Sequence, residues 1–196
     1  MGRAQQKLCR MLNMKLADYV IEYLIELGVK QVFLVYGAAI GDLVDYFTKT
    51  DRIKYLCVMH EQAGAFAAET LTKVSGELGV TMVTSGPGGT NLLTGIANCW
   101  YDSIPNLYIT GQIHSQFLRK DPSIRQVGFQ ENDIVSMAEP ITKFATMVTD
   151  PNKIKWALDK AVYEATAAEA TESGGGDEGG REERDQETAG HSVSVL

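Results

Sequence analysis

The sequence predicts an α/β domain built in three layers, a mostly parallel β-sheet with helices on both faces. Short apolar runs alternate with longer segments in which apolar residues recur at helical spacing. Glycines stand at several of the transitions between the two kinds of segment. This alternation is typical of βαβ units, whose parallel strands are covered by helices on both faces.

The first half of the domain contains a helix and two strand–helix repeats. Apolar residues spaced three and four apart predict a helix over 16–27, and Gly28 follows where a helix commonly ends. Gly76 marks a second helix end in the same way. The elements between them are a strand, a helix, a strand and a helix, predicted over 31–35, 40–48, 55–59 and 61–74.

The second half repeats the pattern with a longer polar stretch inside it. A strand over 80–84 leads into the glycine turn 85–89, and Thr90 and Asn91 are predicted to start the next helix. Asp150-Pro151 opens a final helix, because proline is favoured in a first helical turn. The other predicted segments are a helix to residue 100, a strand over 107–110, a polar stretch over 112–128 and a weaker strand over 144–148.

Composition divides the 196 residues into three parts. Residues 1–13 are predicted to be a flexible leader and 14–166 the folded domain. Residues 167–196 are predicted to be a disordered, acidic, glycine-rich tail, because 167–190 contains no Val, Ile, Leu or aromatic residue. Most of the net charge of −7 lies in this tail, so the folded part is nearly neutral.

Composition also excludes several classes of protein. No apolar run approaches the roughly 20 residues that span a bilayer, so no membrane association is expected. The acidic balance argues against nucleic-acid binding. Cys9, Cys57 and Cys99 have neither zinc-site nor disulfide spacing. Few cysteines without a framework favour a reducing, cytoplasmic location.

Two motifs fall at strand ends, where parallel α/β sheets bind their ligands. The first is His60-Glu61-Gln62, and the second is the stretch 85–91, Ser-Gly-Pro-Gly-Gly-Thr-Asn. Taken alone, Glu61 is better explained by the preference of an acidic residue for a helix N-terminus, and the glycines are also explained by a tight turn. Gly64 stands where a zinc H-E-x-x-H motif needs its second histidine, and the glycine stretch matches no nucleotide-binding pattern.

Together with other segments, these motifs resemble the N-terminal, pyrimidine-binding domain of thiamine-diphosphate-dependent enzymes of the acetolactate synthase large-subunit type. The resemblance runs from Lys15 to about Thr166 and implies the thiamine-diphosphate-binding fold. Five blocks carry it, in order: His60-Glu61-Gln62 with Ala67-Ala68-Glu69, Thr84 to Asn91, Asp102 to Pro105, Thr110-Gly111-Gln112, and Gly128-Phe129-Gln130-Glu131.

The resemblance implies roles for the matched residues. Glu61 hydrogen-bonds a ring nitrogen of the cofactor's aminopyrimidine and favours the imino form that activates the thiazolium carbon. Gln130 is implied as a second catalytic residue, and Phe129 lies near the substrate. His60 is either a substrate contact or a structural histidine. The residues implied to contact the cofactor are Glu61, Gly37, Ala38, Gly86, Pro87 and Asn91.

The sequence departs from the family pattern in three places. The first strand leads into Val35-Tyr36-Gly37 instead of a Gly-x-Pro-Gly turn. The tail replaces the family's final inner strand after Thr166, so the sheet is expected to lack its last strand and the chain to be marginally stable. The Gly-Asp-Gly…Asn motif that holds the diphosphate does not occur. Mg²⁺ is therefore expected only with a domain that this chain lacks, and no metal site is predicted within it.

Three hypotheses follow. The first is an incomplete acetolactate-synthase-like enzyme, cut short naturally, by a frameshift or by an error of gene prediction. It would supply the pyrimidine half of the site for 2-oxo acid decarboxylation and carboligation, act as a homo-oligomer, and be inactive alone. The second is a non-catalytic module that pairs with a full-length homologue and regulates it. The third is an unrelated nucleotide-binding α/β domain.

Overall fold

A computed structural model describes residues 14–121 and 123–167, and the backbone of 192–195. The predicted leader over 1–13, and residues 168–191 and 196 of the tail predicted over 167–196, lie outside this part of the chain. The helices are α1 Leu16–Leu27, α2 Gly41–Tyr46, α3 Glu61–Ser75, α4 Pro87–Tyr101, α5 Ile134–Ala138 and α6 Ile154–Thr166. The strands are β1 Gln31–Val35, β2 Lys54–Cys57, β3 Gly79–Val83, β4 Asn106–Thr110, β5 Phe144–Thr146 and β6 Ser192–Val195.

The six strands form one parallel sheet in the order β2-β1-β3-β4-β6-β5. Strands β3 and β4 are buried along their whole length, whereas β2 lies at an edge and is exposed. The predicted α/β class, with a parallel sheet between helices, is confirmed. The carboxyl ends of β1, β3 and β4 therefore meet at one edge of the sheet.

Alternate residues of the central strands face two separate apolar cores. Leu34, Met82 and Ile109 belong to the larger core, which packs against α1 and α6. Val83 and Tyr108 belong to the smaller core, which packs against α3 and α4. Because successive side chains of a strand point to opposite faces, both layers of helices are held by the same three strands.

Helices α3 and α4 approach each other closely through small residues. A Cβ atom added at Gly95 would lie 2.2 Å from the Cβ of Ala65, so only glycine fits at that position. The close approach brings polar side chains of one helix within hydrogen-bond reach of the other. The candidate site uses one such contact.

Several boundaries differ from the prediction. Helix α4 begins at Pro87, not near Thr90, because Pro87 takes the first helical position and Gly86 precedes it at φ 63°. Much of the predicted glycine turn is therefore helical. The short helix α5, whose N-terminus is capped by Asp133, was not predicted. Strands β2 and β5 end at Cys57 and Thr146, two residues before their predicted ends.

The inner position of the sheet is filled from an unexpected part of the chain. As predicted, no strand directly follows α6 within the described residues. However, Ser192–Val195 occupies that place, with Ser194 paired to Tyr108 on one side and to Ala145 on the other. The expected row of unpaired backbone groups beside β4 is therefore absent, and the predicted tail contributes a strand over these four residues.

In the described part of the chain, no helix is long and apolar enough to cross a membrane.

Candidate functional site

Three loops meet at the carboxyl edge of the sheet, after β1, β3 and β4. The backbone N–H of Ala39 donates a hydrogen bond to Oγ1 of Thr84 at 3.3 Å. A Cβ atom at Gly37 would lie 2.3 Å from the Cβ of Thr84, and one at Gly111 would lie 2.7 Å from the backbone of Ala39. Glycine at these two positions lets the loops pack directly on one another. Gly37 and Ala38, predicted as cofactor contacts, lie where these loops meet.

Glu61 is the first residue of α3, which begins at the same edge of the sheet. Its side chain is largely buried, with 9% exposed. Its Oε2 atom accepts a hydrogen bond from Nδ2 of Asn91 in α4 at 2.9 Å. The helix N-terminus also favours a negative charge at this position. Two predicted site residues from separate motifs are thus in direct contact.

A second pair between the same two helices provides a comparison. Glu69 is also buried, and its Oε2 accepts from Nδ2 of Asn98 at 2.7 Å. Glu69 additionally forms an ion pair with Lys73, whose ammonium also contacts Asp102 at 2.9 Å. The contact with Glu69, more than that with Asp102, raises the pKa of Lys73 above its usual value.

Glu61 has no such cation. Within the described residues it forms no ion pair, and Oε2 alone accepts a hydrogen bond. A buried carboxylate is normally satisfied by several donors or by an opposite charge. The Oε1 atom of Glu61 therefore remains available to a donor from a bound molecule.

His60 has a structural function at the start of α3. Its Nδ1 accepts a hydrogen bond from the backbone N–H of Gln62 at 3.2 Å, which caps the helix. The side chain is otherwise exposed. This geometry accounts for the residue type without a ligand, and a contact with substrate stays a prediction.

The other predicted residues lie around Gly86. Gln130 adopts the left-handed region at φ 58°, and a Cβ atom at Gly86 would lie 2.6 Å from its carbonyl oxygen. Gly86 and Gln130 thus touch through their backbones. Pro87 is exposed at the start of α4. Phe129 is 80% exposed and offers an apolar face beside the loop.

Sequence reasoning missed several residues that shape the site. Nδ2 of Asn132 donates to the carbonyl of Gly86 at 2.9 Å, and the carboxylate of Glu131 accepts bonds from three backbone N–H groups. Glu131 belongs to a block that the resemblance singled out, but its role depends on contacts that spacing does not reveal. Asn132 carried no signal at all.

No group of three or more His, Cys, Asp or Glu side chains is arranged to hold a metal ion within the described residues. The site offers instead one buried carboxylate with a free oxygen, at a helix N-terminus, near loops that pack closely on one another through glycines. Such a carboxylate can accept a hydrogen bond from a ring N–H and stabilise the protonated form of a nitrogen heterocycle.

Comparison with known proteins identifies the family of this domain. The model of the family described as thiamine pyrophosphate enzyme, N-terminal TPP binding domain, matches residues 14–137. This chain belongs to that family. The matched range includes Glu61, Asn91, Gly86 and Gln130.

Several relatives of this TPP-binding domain are acetolactate synthases. The chain is 38% identical over 151 residues to acetolactate synthase isozyme 3 large subunit of Escherichia coli strain K12, covering 77% of this chain and 25% of the relative. It is 39% identical over 147 residues to the acetolactate synthase large subunit of Cyanidium caldarium, covering 74% and 24%.

A third relative is the chloroplastic acetolactate synthase of Arabidopsis thaliana, 37% identical over 151 residues, covering 77% of this chain and 22% of the relative. The chain therefore spans about a quarter of the length of these relatives.

Proposed function

We propose that this domain supplies the aminopyrimidine half of a thiamine diphosphate site in an enzyme of the acetolactate synthase type. The observation that carries the proposal is the Glu61 carboxylate. It is buried, it is held by Asn91 through Oε2, and it has no neutralising cation among the described residues. Glu69, built into the same helix pair, has that cation and serves as the structural counterpart.

The residues present fit the aminopyrimidine. The ring needs a hydrogen-bond partner for a ring nitrogen, and Oε1 of Glu61 offers one. It needs backbone close to its edge, and Gly37 and Gly86 place backbone without a side chain in the two loops at this edge of the sheet, where they pack against Thr84 and Gln130. The predicted contacts of Ala38 and Pro87 belong to the same two loops. The predicted roles of Phe129 and His60 near the substrate are part of this proposal.

The chain's own residues position and polarise the ring. When bound, thiamine diphosphate supplies a nucleophilic carbon and an electron sink for 2-oxo acids. Glu61 holds a proton on the ring nitrogen through Oε1, while Asn91 keeps the carboxylate oriented through Oε2. Partial burial of the carboxylate excludes water and strengthens that hydrogen bond. Gln130, beside Gly86, is the second residue proposed to act on the substrate.

The rest of the site is proposed to come from elsewhere. A domain that holds the diphosphate and Mg²⁺ is expected in the remaining three quarters of an acetolactate-synthase-like protein, since the chain spans about a quarter of such relatives. That domain would come from a second copy of the enzyme or from a longer homologue, and a 2-oxo acid would be the substrate. We propose a cytoplasmic location, with no nucleic acid as partner.

The first test is binding of thiamine diphosphate to the full chain, followed by two-dimensional ¹H–¹⁵N NMR. We expect perturbed signals at Glu61, Gly86 and the side-chain amide of Asn91. Glu61→Gln should weaken binding about 10- to 100-fold, since a hydrogen bond to a charged group contributes about 1.5–3 kcal/mol.

Glu139→Gln is the matched control, because Glu139 is exposed and distant in sequence from the proposed contacts. It should bind like the unaltered chain. Perturbations that avoid the site, or equal binding by Glu61→Gln, would contradict the proposal. Addition of an acetolactate synthase large subunit lacking its own N-terminal quarter then separates the two partner hypotheses. Restored turnover indicates a catalytic half-site, and binding without turnover indicates a regulatory module.

A further inference from the structure

The loop that carries Phe129 and Gln130 is organised by a single carboxylate. Oε1 of Glu131 accepts from the backbone N–H of Arg119 at 2.7 Å. Oε2 accepts from the N–H of Val127 at 2.8 Å and of Gly128 at 3.4 Å. The side chain is 9% exposed. One group thus ties both ends of the segment 119–128 to the residue that follows Gln130.

The next residue fastens this loop to the candidate site. Nδ2 of Asn132 donates to the backbone carbonyl of Gly86 at 2.9 Å. The backbone carbonyl of Asn132 accepts from Nε2 of Gln112 at 2.9 Å. Gly86 immediately precedes α4, the helix that carries Asn91. The loop is therefore connected to the partner of Glu61 through Asn132, Gly86 and one helical turn.

A packing contact also connects the loop to α4. Ile134, at the start of α5, lies against Gly89 of α4, where an added Cβ would come within 3.0 Å of it. Asp133 caps α5 by accepting from the N–H of Ser136 at 3.2 Å, and it lies 3.5 Å from the guanidinium of Arg119. Residues 131–134 thus connect the loop to α4 through hydrogen bonds and packing contacts.

We propose that Glu131 is a positioning residue, which sets Gln130 and Phe129 in place relative to the Glu61–Asn91 pair. The inference rests on the proposed function for its meaning in catalysis, but the structural connection exists without a ligand. The strained backbone of Gln130, at φ 58°, supports it. A non-glycine residue stays in that conformation only where its surroundings impose it, and Glu131 and Asn132 do so from the adjacent positions.

Titration of Glu131 provides a readout that is specific to the loop. Partial burial alone would raise its pKa, but the N–H groups of Val127, Arg119 and Gly128 outweigh this and hold the pKa below the usual value. The positive charge of Arg119 also lowers the pKa of Glu131. The guanidinium of Arg119 in turn lies 3.5 Å from the carboxylate of Asp133. A lowered pKa stabilises the fold above the unfolded-state value, and that contribution is lost as the pH falls through the folded-state pKa.

The experiment compares full-length Glu131→Gln, Glu131→Asp and the exposed control Glu139→Gln by NMR. In the unaltered chain, the amide signals of Arg119 and Val127 should titrate together, below the usual glutamate pKa. In Glu131→Gln that transition should vanish. The signals of Gly86 and of the Asn91 and Asn132 side-chain amides should also shift, while those of the remote helix α1 stay unchanged. Glu131→Asp should restore part of the pattern.

Binding then separates this inference from the proposed function. We expect Glu131→Gln to bind thiamine diphosphate about 3- to 10-fold more weakly than the unaltered chain. Unchanged Gly86 and Asn91 signals in a folded Glu131→Gln variant would overturn the positioning role. Failure of the unaltered chain to bind would overturn the proposed function, and the signals of the free protein would still decide the role of Glu131. Loss of the α1 signals too would show general unfolding and count against a positioning role.

Discussion

At the scale of single residues, the two glutamates of α3 differ in one respect that bears on the proposed function. Both are buried and both accept from an asparagine of α4, but only Glu69 has a lysine. A buried carboxylate without a cation costs stability, since its desolvation is only partly offset. The proposed function gives the uncompensated charge of Glu61 a use.

The comparison predicts opposite effects of the same substitution. Glu61→Gln should leave the free energy of unfolding unchanged or raise it by up to about 1 kcal/mol, because a costly charge is removed. Glu69→Gln should lower it by about 1–3 kcal/mol, because the charge-assisted bond from Lys73, for which Glu61 has no counterpart among the described residues, is lost. Urea unfolding at neutral pH measures both. A Glu61→Gln variant less stable than Glu69→Gln would argue that Glu61 is structural.

At the scale of elements, the α3–α4 interface determines whether Asn91 can reach Glu61. The two helices approach closely only because Gly95 faces Ala65. A side chain at this position would separate the helices and lengthen the 2.9 Å contact between Asn91 and Glu61.

Gly95→Ala is therefore expected to destabilise the chain by about 1–3 kcal/mol through overpacking. It should also weaken binding of thiamine diphosphate. Gly41→Ala is the matched control, because Gly41 is helical, at φ −54°, with no neighbour closer than 3.8 Å to an added Cβ. It should be neutral or stabilising by up to about 1 kcal/mol. Thermal unfolding of both variants tests the prediction, and equal melting temperatures would contradict it.

The sequence predicted elements that depend on local signals. Helical spacing with a terminal glycine located α1 and α3, and Gly28 and Gly76 adopt the expected left-handed conformation. The prediction was less accurate at the start of α4, because a glycine turn was predicted where Gly88 and Gly89 are helical. It also missed the short helix α5. Glu61 was singled out by the family resemblance, because its position at a strand end alone left a structural explanation open. The roles of Glu131, Asn132 and Asn98 depend on contacts across the fold, which local patterns do not encode.

At the scale of the whole molecule, the sheet depends on a strand contributed from far along the chain. Strand β5 joins the sheet through β6, and β4 has β6 as its second neighbour. Local patterns do not predict this strand, since four residues of alternating Ser and Val follow a long polar segment. The premise of the predicted marginal stability, an empty inner position, does not hold. The stability itself stays a prediction.

Ser194→Pro tests the importance of β6. Proline has no N–H and is excluded from central strands, so pairing with Tyr108 and Ala145 should fail. We expect a loss of about 3 kcal/mol or more, with faster hydrogen exchange at the amides of β4. Ser194→Thr, which favours strands, is the control and should retain full stability. Equal stability of the two variants would show that β6 adds nothing to the sheet.

The place of β6 also affects how the protein is made. During translation, β1, β3 and β4 are synthesised first and can pair in turn. The second neighbour of β4, strand β6, is complete only when residue 195 has been added. Throughout that interval the nascent chain presents an apolar strand with one open edge, which is a template for pairing with other chains. We therefore expect production in cells to depend on chaperones that shield this edge, and to suffer most when translation pauses within the long acidic segment before β6.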